Sequence, residues 1–404
     1  MKHRRFLAAL LAAAVLCPLA ALAAGEKNVD NLPIGNLEGF ESSITWFGED
    51  FAYDITDEEA CWELLQRPIT VLDVSEKELV YPRVSPNGEK VVNEWMGGSI
   101  NGSLAAVHVL GEDEDGWTLI EGMDYYDRII RGYVKTSLLK TVTPNNKYGI
   151  IIDKLTQRLY MFIDGKLWSS CAVSTGLPNK DQPYNETAAG EYLIGSWVGG
   201  FDSEGMYCEM GIRFNGGDLL HQVPYVEFAD GTKDFSKYGS QLGRKASHGC
   251  VRVARTANDE GLCISWLWEN LKKNTKVVVW DDDGRTLPYP DDDLEVYYNP
   301  DGGTSYHATA TCRSVRDKYL PLTAFTYGEL DSGKYASLTG CTNCIPVKRR
   351  AEIDEINQER IDLGELLKNP VYTGGATTGG GAQADGSAAS DSPEASDGVT
   401  ITIR

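Results

Sequence analysis

The tract RKASHGCVRVART, residues 244 to 256, places Ser247, His248, Gly249 and Cys250 side by side. A cysteine becomes a strong nucleophile when a nearby imidazole takes its proton, and that base must lie within hydrogen-bond reach in space rather than in sequence. Two histidines qualify. His248 stands two residues before Cys250, so in an extended segment the two side chains point the same way, in a cramped geometry. His221, in GGDLLHQVPY, comes from a preceding strand-like run and can approach the thiol across a sheet, which makes it the preferred base. Gly249 carries no side chain, which lets backbone N–H groups turn toward a developing oxyanion. The competing fates of Cys250 are a disulfide half or a buried thiol.

The elements that must position these residues begin at Lys147. The run YGIIIDKLTQRLYMFIDGKLWSSCAVSTG reads as three strands, with turns near Lys154 and at DGK, in an antiparallel meander. AAGEYLIGSW and MYCEMGIRF add two more strands before the run that carries His221. After the motif, TANDEGLCISWLWENLKKN has Leu262, Cys263, Trp266, Leu267 and Leu271 at helical spacing, with Thr256 and Asp259 placed as a capping box. TKVVVWDDDG closes the region as a last strand, so residues 147–283 are expected to form a mainly β domain with one packed helix.

SHGCVR, with the upstream LLHQVPY and the intervening LG, resembles the active-site signature of the L,D-transpeptidase (YkuD-type) family. The run from GIIIDKLTQRLYMFIDGK through VSTG resembles the start of that catalytic domain, and the resemblance covers residues 147 to about 283. It implies a β-sandwich in which Cys250 is the acyl-accepting nucleophile and His221 its general base and acid. Ser247, His248 and Gly249 would shape the oxyanion side of the pocket, and Arg252 would orient the motif or a substrate carboxylate. The implied reaction is acyl transfer on peptidoglycan stem peptides through a thioester, with release of D-alanine, needing neither metal nor organic cofactor. Carbapenem-type inhibitors are implied as further partners. Two departures stand out: a longer insertion between His221 and the motif, which puts the cover of the pocket and the acceptor in question, and Thr187-Ala188-Ala189-Gly190 where many members carry Thr-Pro-x-Gly.

Hydrolysis by water, as in an L,D-carboxypeptidase or another cysteine-dependent wall peptidase, and a non-catalytic wall-binding role are the alternatives. A papain-like enzyme is disfavoured by chain order, because it places cysteine before histidine, whereas here His221 precedes Cys250 and only His307 follows the motif.

The rest of the chain sets the context. Residues 1–24 read as a signal peptide: basic Lys2, Arg4 and Arg5, an apolar run and the small-residue site Ala21-Leu22-Ala23, which predicts a secreted protein of the extracellular cell wall with no membrane span after cleavage. Losing those three charges takes the formal balance from −21 to −24, which disfavours nucleic acid or an anionic membrane as partner. Eight of the nine cysteines lie beyond the signal, and Cys61, Cys171, Cys208 and Cys263 read as core thiols or disulfides. Residues 25–67 are acidic, with one short helix expected around Cys61.

Residues 68–144 alternate short β-rich runs with turns, and Gly116-Trp117 followed by Gly132-Tyr133-Val134 resembles the end of a bacterial Src-homology-3-like domain. That resemblance implies a wall-binding or spacer module. His108, in AAVHVL, reads as a strand histidine. Residues 293–350 form a small unit whose His307, Cys312, Cys341 and Cys344 suit either a zinc site or one disulfide with a spare thiol. AEIDEINQERIDLGELL reads as a short polar helix, the Gly/Ala/Ser-rich tail 373–398 as disordered, and VTITIR as strand-like.

Overall fold

A computed structural model describes residues 51–368, apart from 92–97, 103, 113–114, 125–128, 180–181, 183–184 and 204. The expected signal peptide, the stretch up to residue 50, the low-complexity tail and VTITIR lie outside the described residues.

Nine strands of the central domain are numbered in chain order: β1 (Tyr148–Asp153), β2 (Arg158–Ile163), β3 (Lys166–Ser174), β4 (Gly190–Leu193), β5 (Trp197–Ser203), β6 (Met206–Asn215), β7 (Asp218–Gln222), β8 (Val251–Val253) and β9 (Lys276–Trp280). They form one hydrogen-bonded row in the order β4-β9-β1-β2-β3-β8-β7-β6-β5. The expected sandwich is therefore a single curled sheet. The change of direction sits in the long β3, whose first part pairs with β2 while its end, Val173 and Ser174, pairs with β8. Residues of both halves of the row, among them Ile150, Met161, Ile212 and Val251, share one core with the helix residues Ile264 and Leu267.

Two helices pack on this sheet, α1 (Glu58–Gln66) before it and α2 (Ile264–Asn270) between β8 and β9. They explain why β1 and β9 are buried throughout rather than on alternate residues. Side chains on a strand alternate faces, so Ile150, Ile152, Val277 and Val279 enter the main core. Ile151, Val278 and Trp280 instead meet Cys61, Leu64 and Leu65 of α1. A Cβ at Gly149 would lie 2.7 Å from Leu65 Cδ1, so glycine there lets α1 approach the strand backbone. Helix α1 starts where Asp57 accepts the Ala60 N–H at 3.0 Å.

The α2 boundary corrects the expected capping box. The helix begins at Ile264 without a side-chain cap, and Thr256 and Asp259 precede it in turns. Gly261, at φ +98°, breaks the helical path, and Asn258 takes the Leu262 N–H at 2.8 Å instead. Strand β5 was not anticipated, because Gly199 at φ +91° and Gly200 interrupt its apolar pattern at a bulge.

The described part of residues 68–144 is mainly β: Ile69–Leu72 pairs with Leu139–Val142, and His108–Glu112, Trp117–Met123 and Ile129–Lys135 form a three-stranded sheet that includes His108. The C-terminal unit is a four-stranded sheet with an aromatic core of Tyr298, Tyr306, Phe325 and Tyr327. Its polar helix α3 (Arg350–Lys368) spans the expected stretch, and Ile353, Ile356 and Arg360 are buried along it. Among the described residues no helix is long and apolar enough to cross a membrane.

Candidate active site

Strands β7 and β8 lie side by side in parallel, with Leu220 opposite Val251, His221 opposite Arg252 and Gln222 opposite Val253. Cys250 sits immediately before β8, so the two expected residues lie on neighbouring strands. Phe201 marks their common side. It packs with Cys208, Leu219 and Cys250, and its ring meets His221 edge to face at 5.3 Å.

His221 is 3% exposed, and its Nδ1 lies 2.7 Å from the Gln222 carbonyl oxygen. A carbonyl only accepts, so Nδ1 carries the proton and Nε2 is left as the basic nitrogen. Burial, reinforced by the Arg252 guanidinium, holds the imidazole down to about 3, against a smaller upward pull from the Gln222 carbonyl. At neutral pH it is therefore an uncharged base.

Cys250 is half-buried and unbridged, with Sγ 3.9 Å from the Gly217 carbonyl oxygen. Burial, and then the Asp218 carboxylate, push its thiol well up, while the Leu219 N–H and Arg252 pull it back only in part. The resting groups are thus a thiol and a neutral imidazole.

Arg252 is buried; its Nη1 donates to Gln241 Oε1 at 2.7 Å and its guanidinium lies 5.4 Å from the Tyr238 ring centroid. It is fixed by the protein, and its charge acts on the His221–Cys250 pair. His248 is half-buried. Gly249 adopts φ +122°, and a Cβ there would lie 2.5 Å from Asp218 Oδ1, so both its conformation and its space require glycine.

The Gly249 N–H points to Ser247 Oγ at 3.3 Å. Ser247 in turn donates to the Cys250 carbonyl, bracing the turn from inside.

Sequence reasoning treated Thr187 only as part of an altered turn. In the fold it is fully buried, donates to the Gly249 carbonyl and accepts the Gly176 N–H at 2.8 Å, so it clamps the motif. Asp218 was likewise missed. Its signal was weak, because its proximity to Cys250 depends on parallel pairing that spacing alone does not reveal.

Below the motif, Lys245 is anchored in a buried ionic cluster. Its Nζ lies 2.9 Å from Glu186 and 2.9 Å from Asp282, which also meets Arg360 of α3 at 2.7 Å. Lys154 joins through Glu186 at 2.6 Å and Asp281 at 2.8 Å. Burial pushes the Asp282 carboxyl up, but Lys245, Lys154 and Arg360 together hold it well below the ordinary carboxylate range. The charges are mutually compensated, which is the condition under which buried ions are tolerated.

The insertion after His221 is folded. Val226–Glu227 pairs with Lys233–Asp234, Tyr225 stacks on Tyr207 at 5.6 Å, and Lys233 bonds Glu209 at 2.7 Å. Tyr238, from the same insertion, is the buried ring beside Arg252.

Cys61, Cys171, Cys208 and Cys263 are buried free thiols. Burial raises the first three, Cys61 to about 11 and Cys171 and Cys208 to about 12. A raised thiol is therefore common to several cysteines of this chain, and partial exposure separates Cys250 from these four buried ones.

Residues that could hold a metal converge elsewhere, in the C-terminal unit, where ligand atoms of His307, Cys312, Cys341 and Cys344 lie within 4.8 Å of one another. A cavity of about 680 Å³ separates that unit from the β2–β3 face, and neither His221 nor Cys250 lines it.

Residues 147–279 match the family model of the L,D-transpeptidase catalytic domain, YkuD. Similar solved structures include an L,D-transpeptidase from Stackebrandtia nassauensis, 22% identical over 33% of this chain and 56% of that one, with a TM-score of 0.24. An L,D-transpeptidase from Mycobacterium smegmatis is 11% identical over 54% of this chain and 92% of that one, with a TM-score of 0.28. An L,D-transpeptidase solved in complex with imipenem is 10% identical over 54% of this chain and 92% of that one, also with a TM-score of 0.28. The chain thus spans little more than half the length of the Stackebrandtia protein. No curated protein matches.

Proposed function

We propose that the chain is an exported L,D-transpeptidase that remodels peptidoglycan through a thioester on Cys250. The observation that carries this reading is the parallel pairing of β7 with β8, which sets His221 beside the Cys250 turn inside a segment matching the catalytic-domain family.

Cys250 Sγ attacks the carbonyl between the L-centre of a stem-peptide diamino acid and its terminal D-alanine, while His221 Nε2 takes the thiol proton. The tetrahedral adduct collapses, the D-alanine nitrogen leaves with the proton from the imidazolium, and a thioester remains. An amine of a second stem then gives its proton to His221 and attacks the thioester, forming the new amide and returning the thiol. If water is the acceptor, the same steps give an L,D-carboxypeptidase. The neutral imidazole suits the first step, because a base must be unprotonated to act.

Under this reading Arg252 and Ser247 are positioning residues, Gly249 is the turn that presents the thiol, and His248 lines the approach. The β unit of residues 68–144 is read as a Src-homology-3-like wall-binding or spacer module, and residues 1–24 as the export signal. The imipenem complex of a relative supports carbapenems as acylating inhibitors of Cys250.

The test is incubation of the purified protein with disaccharide-tetrapeptides and mass spectrometry of the products. Loss of D-alanine with formation of cross-linked dimers is expected for wild type and for neither Cys250→Ala nor His221→Ala. Dimer formation that survives in Cys250→Ala would exclude the assignment.

A further inference from the structure

The four side chains His307, Cys312, Cys341 and Cys344 come from three separate segments: the end of strand Ser305–His307, the turn that follows it, and the Cys341-Thr342-Asn343-Cys344 knuckle after Thr339–Gly340. Their approach is not that of a disulfide. Cys312 Sγ and Cys341 Sγ stand 3.9 Å apart, and all three cysteines are free, whereas a bond between them needs about 2.05 Å. The separation matches a shared ion instead. Two thiolates on one tetrahedral zinc, each at about 2.3 Å, lie about 3.8 Å apart, and a thiolate and an imidazole nitrogen about 3.5 Å apart. Here Cys344 Sγ is 3.6 Å from His307 Nδ1.

The surroundings are built for thiolates. The Ala308 N–H points to Cys344 Sγ at 3.3 Å, the Asn343 N–H to Cys341 Sγ at 3.4 Å and the Asn343 side-chain amide to Cys312 Sγ at 3.7 Å. These donors offset the negative charge that three deprotonated sulfurs bring. His307, Cys312 and Cys341 are buried, and Cys344 is half-buried.

We infer that His307, Cys312, Cys341 and Cys344 bind one zinc ion in a closed, structural Cys3His site. Four protein ligands fill a tetrahedral shell and leave no position for water or substrate, and three sulfurs with one imidazole select zinc over harder cations. Binding releases three thiol protons and gives a centre of net charge −1. The ion ties the knuckle to the strand ending at His307, in a unit whose own apolar core is small. It also fixes Ile345, whose carbonyl accepts from Arg158 of β2 at 3.0 Å while the same guanidinium bonds Ser170 at 2.8 Å. The site therefore supports one of the contacts by which the C-terminal unit docks on the catalytic sheet.

Elemental analysis of the full-length protein, purified without chelator, is expected to find one zinc per chain. Cobalt loaded in its place should give thiolate-to-cobalt charge-transfer absorption. Alkylation should spare Cys312, Cys341 and Cys344 until a strong chelator is added, then label all three. Cys341→Ser should lose the metal, His307→Cys should keep it with a shifted cobalt spectrum, and Cys250→Ala and Cys171→Ala should retain full occupancy. Folded wild type without metal, two hydrogens lighter than the reduced mass and bridged at Cys312–Cys341, would overturn the proposal. So would full occupancy in a Cys312→Ser/Cys341→Ser variant.

Discussion

The His221–Cys250 pair and the His307–Cys312–Cys341–Cys344 cluster are made from the same two residue types and are arranged in different ways. At the first, one thiol lies just before the strand that neighbours the imidazole's, and burial and the Asp218 carboxylate push that thiol up. At the second, three sulfurs and an imidazole close on a common centre with amide donors aimed at the sulfurs. The number of converging ligands and the sign of the surrounding partial charges decide which chemistry a cysteine performs, more than the presence of a histidine nearby.

The sharpest way to break the comparison is exchange of function. Cys250→Ala should abolish acyl transfer while leaving zinc content intact, as separate activity and metal assays would read. His221→Ala should slow acylation by about 10²–10⁴-fold, and Cys250 alkylation should fall with it; an unchanged rate, with His248→Ala slowed instead, would move the base to His248.

Next is the dependence on pH. The ordinary histidine value is 6.5 and His221 is held down to about 3 in the fold, so on acidification the unfolded chain takes up this proton first. The contribution of His221 is then full above pH 6.5 and is lost as pH falls toward 3, at a limiting slope of about 1.4 kcal/mol per unit. Denaturant melts of wild type and His221→Gln at pH 7 and 5 should show the variant losing less.

Gly249→Ala combines an unfavourable φ with a collision against Asp218, and should cost ~1–3 kcal/mol together with most of the activity, read by thermal denaturation and turnover. The smallest effect is expected of Asp218→Asn. Removing that charge lowers the Cys250 thiol, so alkylation at neutral pH should quicken by roughly threefold to tenfold.

Sequence alone carried the apolar runs of β1, β2, β3 and β9, because strand length and turn residues are local. It also singled out Cys250 and His221, because SHGCVR and LLHQVPY resemble a known active-site signature. What it missed depended on distant contacts. The closure of two strand groups into one sheet depends on how β3 divides its pairing, Thr187 reaches the motif from 62 residues away, and Arg360 of α3 finds a buried carboxylate at Asp282. The capping-box expectation failed through a local rule overruled by another, since Gly261 ends any helix that starts at Thr256. The four C-terminal ligands were legible as residue types, and only their convergence separates a metal site from a disulfide.

The salt bridges joining Lys245, Asp282 and Arg360 also set an order of events. Synthesis runs from the N-terminus, so Lys245 and Asp282 leave the ribosome long before the arginine that completes their charge balance. A fragment ending at residue 283 would hold Asp282 without Arg360. The footing of the SHGC turn is completed only when α3 docks, so its charge balance is reached only after residue 360 has been made.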